Sequence, residues 1–243
     1  MSINYLKGSK LRSLPVNFSG IKSQGFFTSW CWNILGLSFL CSGWVTLYVD
    51  QQLNDNDQGI SEHDMIATLS SQPYMKYMLR MTVILFEIAA PLSMLVSAVV
   101  RYALWPKALN GKGSQDLKVW HALLQHNANV IMALIEVGLL GGLTCRFTDM
   151  AVAPLFGVTF VLFAWSMKNK WLESGEPQFM YFFLDTTLGK TTSIALLGLL
   201  VILTLFYAIF VLVDDVILML GGGLPTNLAV VISIASLVCR FRD

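Results

Sequence analysis

Long apolar runs constrain the fold of this 243-residue chain more than any other feature of its sequence. A helix needs about 20 mostly apolar residues to cross the hydrocarbon core of a bilayer, which is roughly 30 Å thick. Five runs come close to this length or exceed it, and the first of them holds no charged residue. They span residues 28–49, 81–105, 119–141, 150–167 and 191–213.

A sixth apolar run, residues 216–239, contains Gly221–Gly223 and Pro225, which interrupt helices. It predicts either an interrupted crossing or a re-entrant segment packed against the bundle. Asp214 and Asp215 precede it, and we expect them to mark a solvated helix end. Charged residues make up only 13% of the chain, about half the share of a soluble domain. The sequence therefore predicts an all-α membrane protein, a bundle of five to six transmembrane helices formed by residues 28–243.

Lysine and arginine residues predict how the bundle is oriented, because they collect on the cytoplasmic side of membrane proteins. If the first crossing begins inside, thirteen of the 16 Lys and Arg residues fall on that side. Both termini are then cytoplasmic, and residues 1–27 form a basic cytoplasmic segment. An outer loop carries the acidic residues Asp50, Asp55, Asp57, Glu62 and Asp64.

The basic leader has no apolar core like that of a secretory signal. An organellar presequence is one interpretation of it. The simpler interpretation is that these basic residues lie beside anionic lipid, which favours the endoplasmic reticulum or the plasma membrane.

Composition excludes several classes of function. A net charge of +1 gives no basic surface for a nucleic acid. The four cysteines form no C-x-x-C pair, and His121 and His126 belong to no zinc-binding pattern, so we expect neither a metal nor a cofactor. Membrane lipids are the expected partners, while any partner membrane protein stays unidentified.

The third apolar run is unusually polar. At 100° per residue, Gln125, His126, Asn129 and Glu136 fall within roughly one third of the helix circumference, whereas Asn127 points elsewhere. Polar groups within a span are costly unless they face the bundle interior, so this side is predicted to face inward. Asn129 and Glu136 fit either structural hydrogen bonding between helices or a direct role in a site. His126 has a donor and an acceptor for acid–base chemistry.

Thr28 begins the first run. A helix N-cap is the simplest interpretation of a threonine at this position. However, both the first and the third runs start from the inner side, and His126 lies about 10 Å into the third. A hydroxyl and an imidazole at similar depth suit a nucleophile and its general base.

Four short stretches stand out along the chain: Phe26–Thr28 at the start of a span, Pro91 in the middle of the next, His126 with Glu136 ten residues later, and the loop Tyr181–Asp185. Together they resemble the androgen-induced-gene family of membrane threonine hydrolases, which includes the androgen-dependent regulator of tissue factor pathway inhibitor. The likeness extends over about residues 26–213, with Phe182 standing where the family usually has proline.

This resemblance implies an intramembrane hydrolase that cleaves lipid esters such as fatty acid esters of hydroxy fatty acids. Thr28 would be the nucleophile and His126 its general base. The resemblance identifies no acidic third member, because Glu136 lies about 15 Å along the helix from His126.

A transporter or a subunit of a membrane complex is the alternative. Glu87 and Glu136 within spans favour it, as does the interrupted last run. A purely structural lipid-interacting protein is a third hypothesis, and it explains the polar third run least well.

Overall fold

The structure, a computed structural model, describes residues 7–11, 20–54, 67–68, 70–110, 115–170, 177–221 and 223–242. Helices dominate these residues, and none of them forms a strand. The predicted all-α membrane bundle is thereby confirmed. Four carboxylates of the predicted acidic loop (Asp55, Asp57, Glu62, Asp64) lie outside the described residues, as do Arg12 and Lys112.

Five described helices are long and apolar enough to cross a membrane. A shorter apolar helix, α6, follows them. The six are α1 (Phe27–Asn54), α2 (Pro73–Leu109), α3 (Trp120–Leu140), α4 (Val152–Ser166, extended by the turn Phe147–Asp149), α5 (Lys190–Leu220) and α6 (Gly223–Val238).

The last two helices differ from the sequence prediction. The prediction ended the fifth crossing before Asp214 and began a broken segment at residue 216. Instead, α5 continues without interruption to Leu220 and ends at Gly221, whose φ of 50° is accessible mainly to glycine. Asp214 is thus inside the helix and buried, not at a solvated end. The helix continues because the carboxylate has a backbone partner inside the bundle, described below.

Helix α6 turns back and runs antiparallel to α5. Near its start, Val231 and the backbone of Asn227 lie against Gly138 of α3. At its end, Arg101 of α2 donates to the carbonyl oxygens of Ser236, at 2.6 Å, and of Cys239. A helix of this length spans roughly 24 Å. It therefore covers most of the depth of the bundle, although it is shorter than the five spanning helices.

Helix α2 is the central element, and it contacts all five of the other helices. Fully buried side chains of α2, such as Phe86 and Leu92, share one apolar core with Leu134 of α3 and with Leu203 and Phe210 of α5. Helix α1 packs along α2, where Ser38 donates to the carbonyl oxygen of Thr82 at 3.2 Å. Burial of this apolar surface positions polar groups at the two ends of the bundle.

The two ends are named for the predicted orientation. The inner end is where α1, α3 and α5 begin, and the outer end is where they finish. At the inner end, Ser9 and Lys10 of the basic N-terminal segment bond to Asp185 and Thr187 just before α5. At the outer end, α3 finishes at Gly141, whose φ is 68°. A short segment, residues 141–146, then leads into α4; we call it the outer loop segment.

Candidate functional site

The polar side of α3 is buried, as its spacing predicts, but it is wider than expected. Asn129 is fully buried, Glu136 is 9% exposed, and Gln125 and His126 are half-buried. Asn127, predicted to point elsewhere, is also buried. The reason is a π-helical turn over Leu124–Ala128, which holds more residues than an α-helical turn and so changes which side chains share a face.

His126 lies within that π-helical turn. Its backbone carbonyl accepts a hydrogen bond from the Ser97 hydroxyl of α2, which fixes the turn against the neighbouring helix. The ring atom Nδ1 is buried and has no hydrogen-bond partner among the described residues. Buried polar atoms nearly always have partners, so such an atom requires an explanation.

Asn129 lies one turn further along the same side of α3. Its Oδ1 accepts from the backbone nitrogen of Val130 at 3.1 Å, whereas Nδ2 is buried without a partner in the described part of the chain. An imidazole nitrogen and an amide donor therefore point from one side of α3 with unused bonding capacity. This pair is the most distinctive chemical feature of the inner half of the bundle.

Thr28 lies in the first turn of α1, one residue after its start at Phe27. It is half-buried, and its hydroxyl makes no hydrogen bond to another described residue, so it does not cap the helix. Leu35 and Phe39 follow on the same side of α1, each within about 20° of Thr28. Because the Phe39 ring lies 6.3 Å from that of Phe86, this side of α1 faces α2.

The structure brings the helices of Thr28 and His126 together. Helix α1 contacts the π-helical turn of α3, and both lie against the inner half of α2. No hydrogen bond joins the Thr28 and His126 side chains among the described residues. Their action as nucleophile and base stays a prediction.

Two of the four stretches that carry the family resemblance are in direct contact. The backbone nitrogen of Phe27 donates to the Tyr181 hydroxyl at 3.1 Å. Burial raises the pKa of Tyr181 to about 12, so the hydroxyl stays neutral. Asp185, at the end of the same loop, is fully buried and accepts bonds from Ser9 and Thr187. The loop Tyr181–Asp185 therefore anchors the start of α1.

Asn127 holds the end of α6 against α3. Its Nδ2 donates to the carbonyl oxygen of Arg240 at 3.0 Å, and its Oδ1 accepts from the Arg240 nitrogen at 3.2 Å. The Tyr102 hydroxyl of α2 donates to the carbonyl oxygen of Leu237 at 2.5 Å. These bonds satisfy backbone groups that every helix end leaves open. They account for a buried asparagine that the sequence pattern placed on another face.

At the outer end, three buried carboxylates from three helices lie against the outer loop segment. Glu87 Oε1 accepts from the Arg146 backbone nitrogen at 3.0 Å and from its Nε at 3.2 Å. Asp214 accepts from the backbone nitrogen of Cys145 at 2.9 Å, and Glu136 Oε1 lies 2.8 Å from the position that a Cβ of Gly142 would occupy. Glu136 therefore packs against this segment, and a direct role in a site stays a prediction.

Charges around the outer loop segment shift its own titrating groups. Hydrogen bonding to Glu87 raises the pKa of the Arg146 guanidinium, which also pairs with Asp149 at 2.5 Å. Burial raises the pKa of the Cys145 thiol, and the negative charges of Glu87 and Asp214 raise it further. Glu87 Oε2 stays buried without a partner among the described residues. Sequence reasoning singled out Glu87 but missed Cys145 and Arg146.

The described residues contain no group of three or more His, Cys, Asp or Glu side chains arranged to hold a metal ion. Comparisons with known protein families, with curated proteins and with solved structures found no match for this chain. The geometry and chemistry of the site are therefore the basis for a functional assignment, and the family resemblance stays a prediction.

Proposed function

We propose that this membrane protein is a hydrolase of lipid esters, with Thr28 as the nucleophile and His126 as its general base. The observation that carries the proposal is the buried Nδ1 of His126, which has no hydrogen-bond partner among the described residues. A ring nitrogen that accepts no bond in the resting protein is free to accept a proton from a hydroxyl. Thr28 supports the proposal, since its hydroxyl makes no bond to another described residue.

The chemistry requires two steps. Thr28 Oγ attacks the ester carbonyl carbon while its proton moves to His126, and the tetrahedral intermediate expels the alcohol, which takes that proton. Water then attacks the acyl-threonine with His126 again accepting a proton, and a fatty acid leaves as the hydroxyl is restored. For a fatty acid ester of a hydroxy fatty acid, the products are one fatty acid and one hydroxy fatty acid.

The test is turnover by purified protein in lipid nanodiscs, with products identified by mass spectrometry. We expect Thr28→Ala and His126→Ala each to lower the rate at least 100-fold, because neither half of the pair is effective alone. Thr46→Ala and His121→Ala are matched controls, since both residues are exposed. Folded wild-type protein that cleaves no ester in a panel of lipid esters contradicts the proposal.

Transport of protons or cations is the second candidate, and Glu87 Oε2 is the observation that favours it. A buried carboxylate oxygen without a partner, carried by a membrane-spanning helix, is a feature that proton pathways share. In proteoliposomes carrying an internal pH dye, a transporter acidifies the lumen under a proton gradient. The flux should vanish in Glu87→Gln and persist in Thr28→Ala, which separates the two functions.

A further inference from the structure

An apolar groove between α4 and α5 opens on the inner half of the bundle. Its volume is about 190 Å³. Its lining is almost entirely apolar, which suits a hydrocarbon chain. The walls are formed by Val158, Val161, Leu162 and Trp165 of α4 and by Leu196 and Leu200 of α5.

The length of the groove matches one leaflet of a bilayer. Gly157 and Trp165 mark its two ends on α4, and they are about 12 Å apart along the helix. One leaflet contributes about 15 Å of hydrocarbon. Leu203 of α5 closes the groove in mid-membrane, because its side chain occupies the space where a Cβ of Gly157 would lie.

The inner mouth of the groove is at the depth of lipid headgroups. Trp165 Nε1 donates to the carbonyl oxygen of Leu184 at 3.0 Å, a polar bond typical of tryptophan at a membrane interface. Lys168 lies one turn further, with Nζ 3.3 Å from the Thr186 hydroxyl, and Lys190 begins α5. No described acid forms an ion pair with these two lysines.

The described carboxylate of the loop before α5, Asp185, forms no ion pair with Lys168 or Lys190. Asp185 is fully buried and already accepts bonds from Ser9 and Thr187. Lys170 adds a third cation, which is exposed like Lys190, whereas Lys168 is half-buried; Glu173 and Glu176 of the same connection lie outside the described residues. A basic mouth above an apolar channel is the arrangement that binds an acidic phospholipid between transmembrane helices.

We propose that this groove is a binding site for one anionic phospholipid of the inner leaflet. One acyl chain occupies the space between α4 and α5, and the phosphate contacts Lys168 and Lys190. The site does not depend on Thr28 or His126, so it stands apart from the proposed hydrolase activity. Its lipid is a bound component of the protein rather than its substrate.

Native mass spectrometry of the full chain, reconstituted with phosphatidylglycerol and phosphatidylcholine of identical acyl chains, tests the site. We expect one phosphatidylglycerol to be retained at least fivefold over phosphatidylcholine. Val158→Trp fills the groove and should remove both lipids, while Lys168→Gln combined with Lys190→Gln should remove only the preference. Leu200→Trp fills the groove from the opposite wall if the first variant folds poorly.

The controls place the same substitutions elsewhere. Leu197→Trp on an exposed face of α5, and Lys76→Gln with Arg80→Gln at the outer end, should leave retention unchanged. Thr28→Ala should retain the lipid even though it abolishes hydrolysis, so failure of one proposal is distinguishable from failure of the other. Equal retention of the two lipids by the wild type, or undiminished retention by both groove variants, would mean annular lipid only and overturn the site.

Discussion

The two ends of the bundle differ in how far their buried polar groups are paired. At the outer end, Glu87 and Asp214 each accept a backbone N–H of the outer loop segment, although Glu87 Oε2 is buried without a partner among the described residues. At the inner end, His126 Nδ1 and Asn129 Nδ2 are buried without partners among the described residues. Paired groups stabilise a structure, whereas a buried unpaired group costs stability and requires an explanation. In the proposed function, the outer end anchors the fold and the inner end carries the chemistry.

Breaking the outer anchor at Glu87 should have the largest effect on stability. Glu87→Ala leaves the Arg146 backbone nitrogen without its acceptor and removes the guanidinium's partner, with a cost of about 3 kcal/mol in the free energy of unfolding. Arg146 is half-exposed and gains water, which keeps the cost below that of a fully buried pair. Unfolding in mixed micelles measures the change. A loss under 1 kcal/mol would mean that Glu87 is not an anchor.

Asp214 offers a matched pair for the same question, because Asp215 next to it is exposed. Asp214→Ala should cost about 2 kcal/mol, since the Cys145 nitrogen loses its acceptor in a buried site. Asp215→Ala should change stability by less than about 0.5 kcal/mol. The same unfolding assay compares them, and equal effects of the two substitutions would contradict the buried position of Asp214.

Asn127 and Asn129 allow a paired and an unpaired buried amide to be compared within a single helix. Asn127→Leu should destabilise the protein by about 1.5 kcal/mol, because two bonds to Arg240 are lost. Asn129→Leu should stay within about 0.5 kcal/mol of the wild type, because the donor it removes is already unpaired and the one bond it loses is a local one from the neighbouring Val130 nitrogen. Thermal unfolding and ester turnover are measured on both variants. A large loss of stability in Asn129→Leu would show that this amide is structural after all.

The contact between α3 and α6 gives the smallest expected effect. Gly138→Ala places a Cβ 2.5 Å from Val231 Cγ2, and the resulting shift costs about 1 kcal/mol after the gain in helix propensity. Gly198→Ala is the control, because nothing lies near its added methyl group. Differential scanning fluorimetry compares the two melting temperatures. Equal melting temperatures would indicate that α6 does not pack on α3.

Much of the fold follows from the sequence because spanning helices depend on local apolar length alone. The polar side of α3 was predictable for the same reason, since its residues recur at helical spacing. The end of α5 was not predictable from the sequence, because a pair of aspartates is typical of a helix end. Only the structure shows that the Cys145 nitrogen donates to Asp214. Burial of Asn127 depended on a π-helical turn and on the returning α6. Neither feature leaves a signal in local spacing.

The most direct test of the chemistry proposed for the inner end is covalent labelling of the nucleophile. A lipid-like fluorophosphonate incubated with the folded protein should phosphonylate the Thr28 hydroxyl, and peptide mapping by mass spectrometry should locate the adduct there. The adduct should disappear in His126→Ala, which removes the base, and persist in Glu87→Gln, which alters only the outer end. An adduct at another residue, or none in folded wild-type protein, would contradict the assignment of chemistry to the inner end.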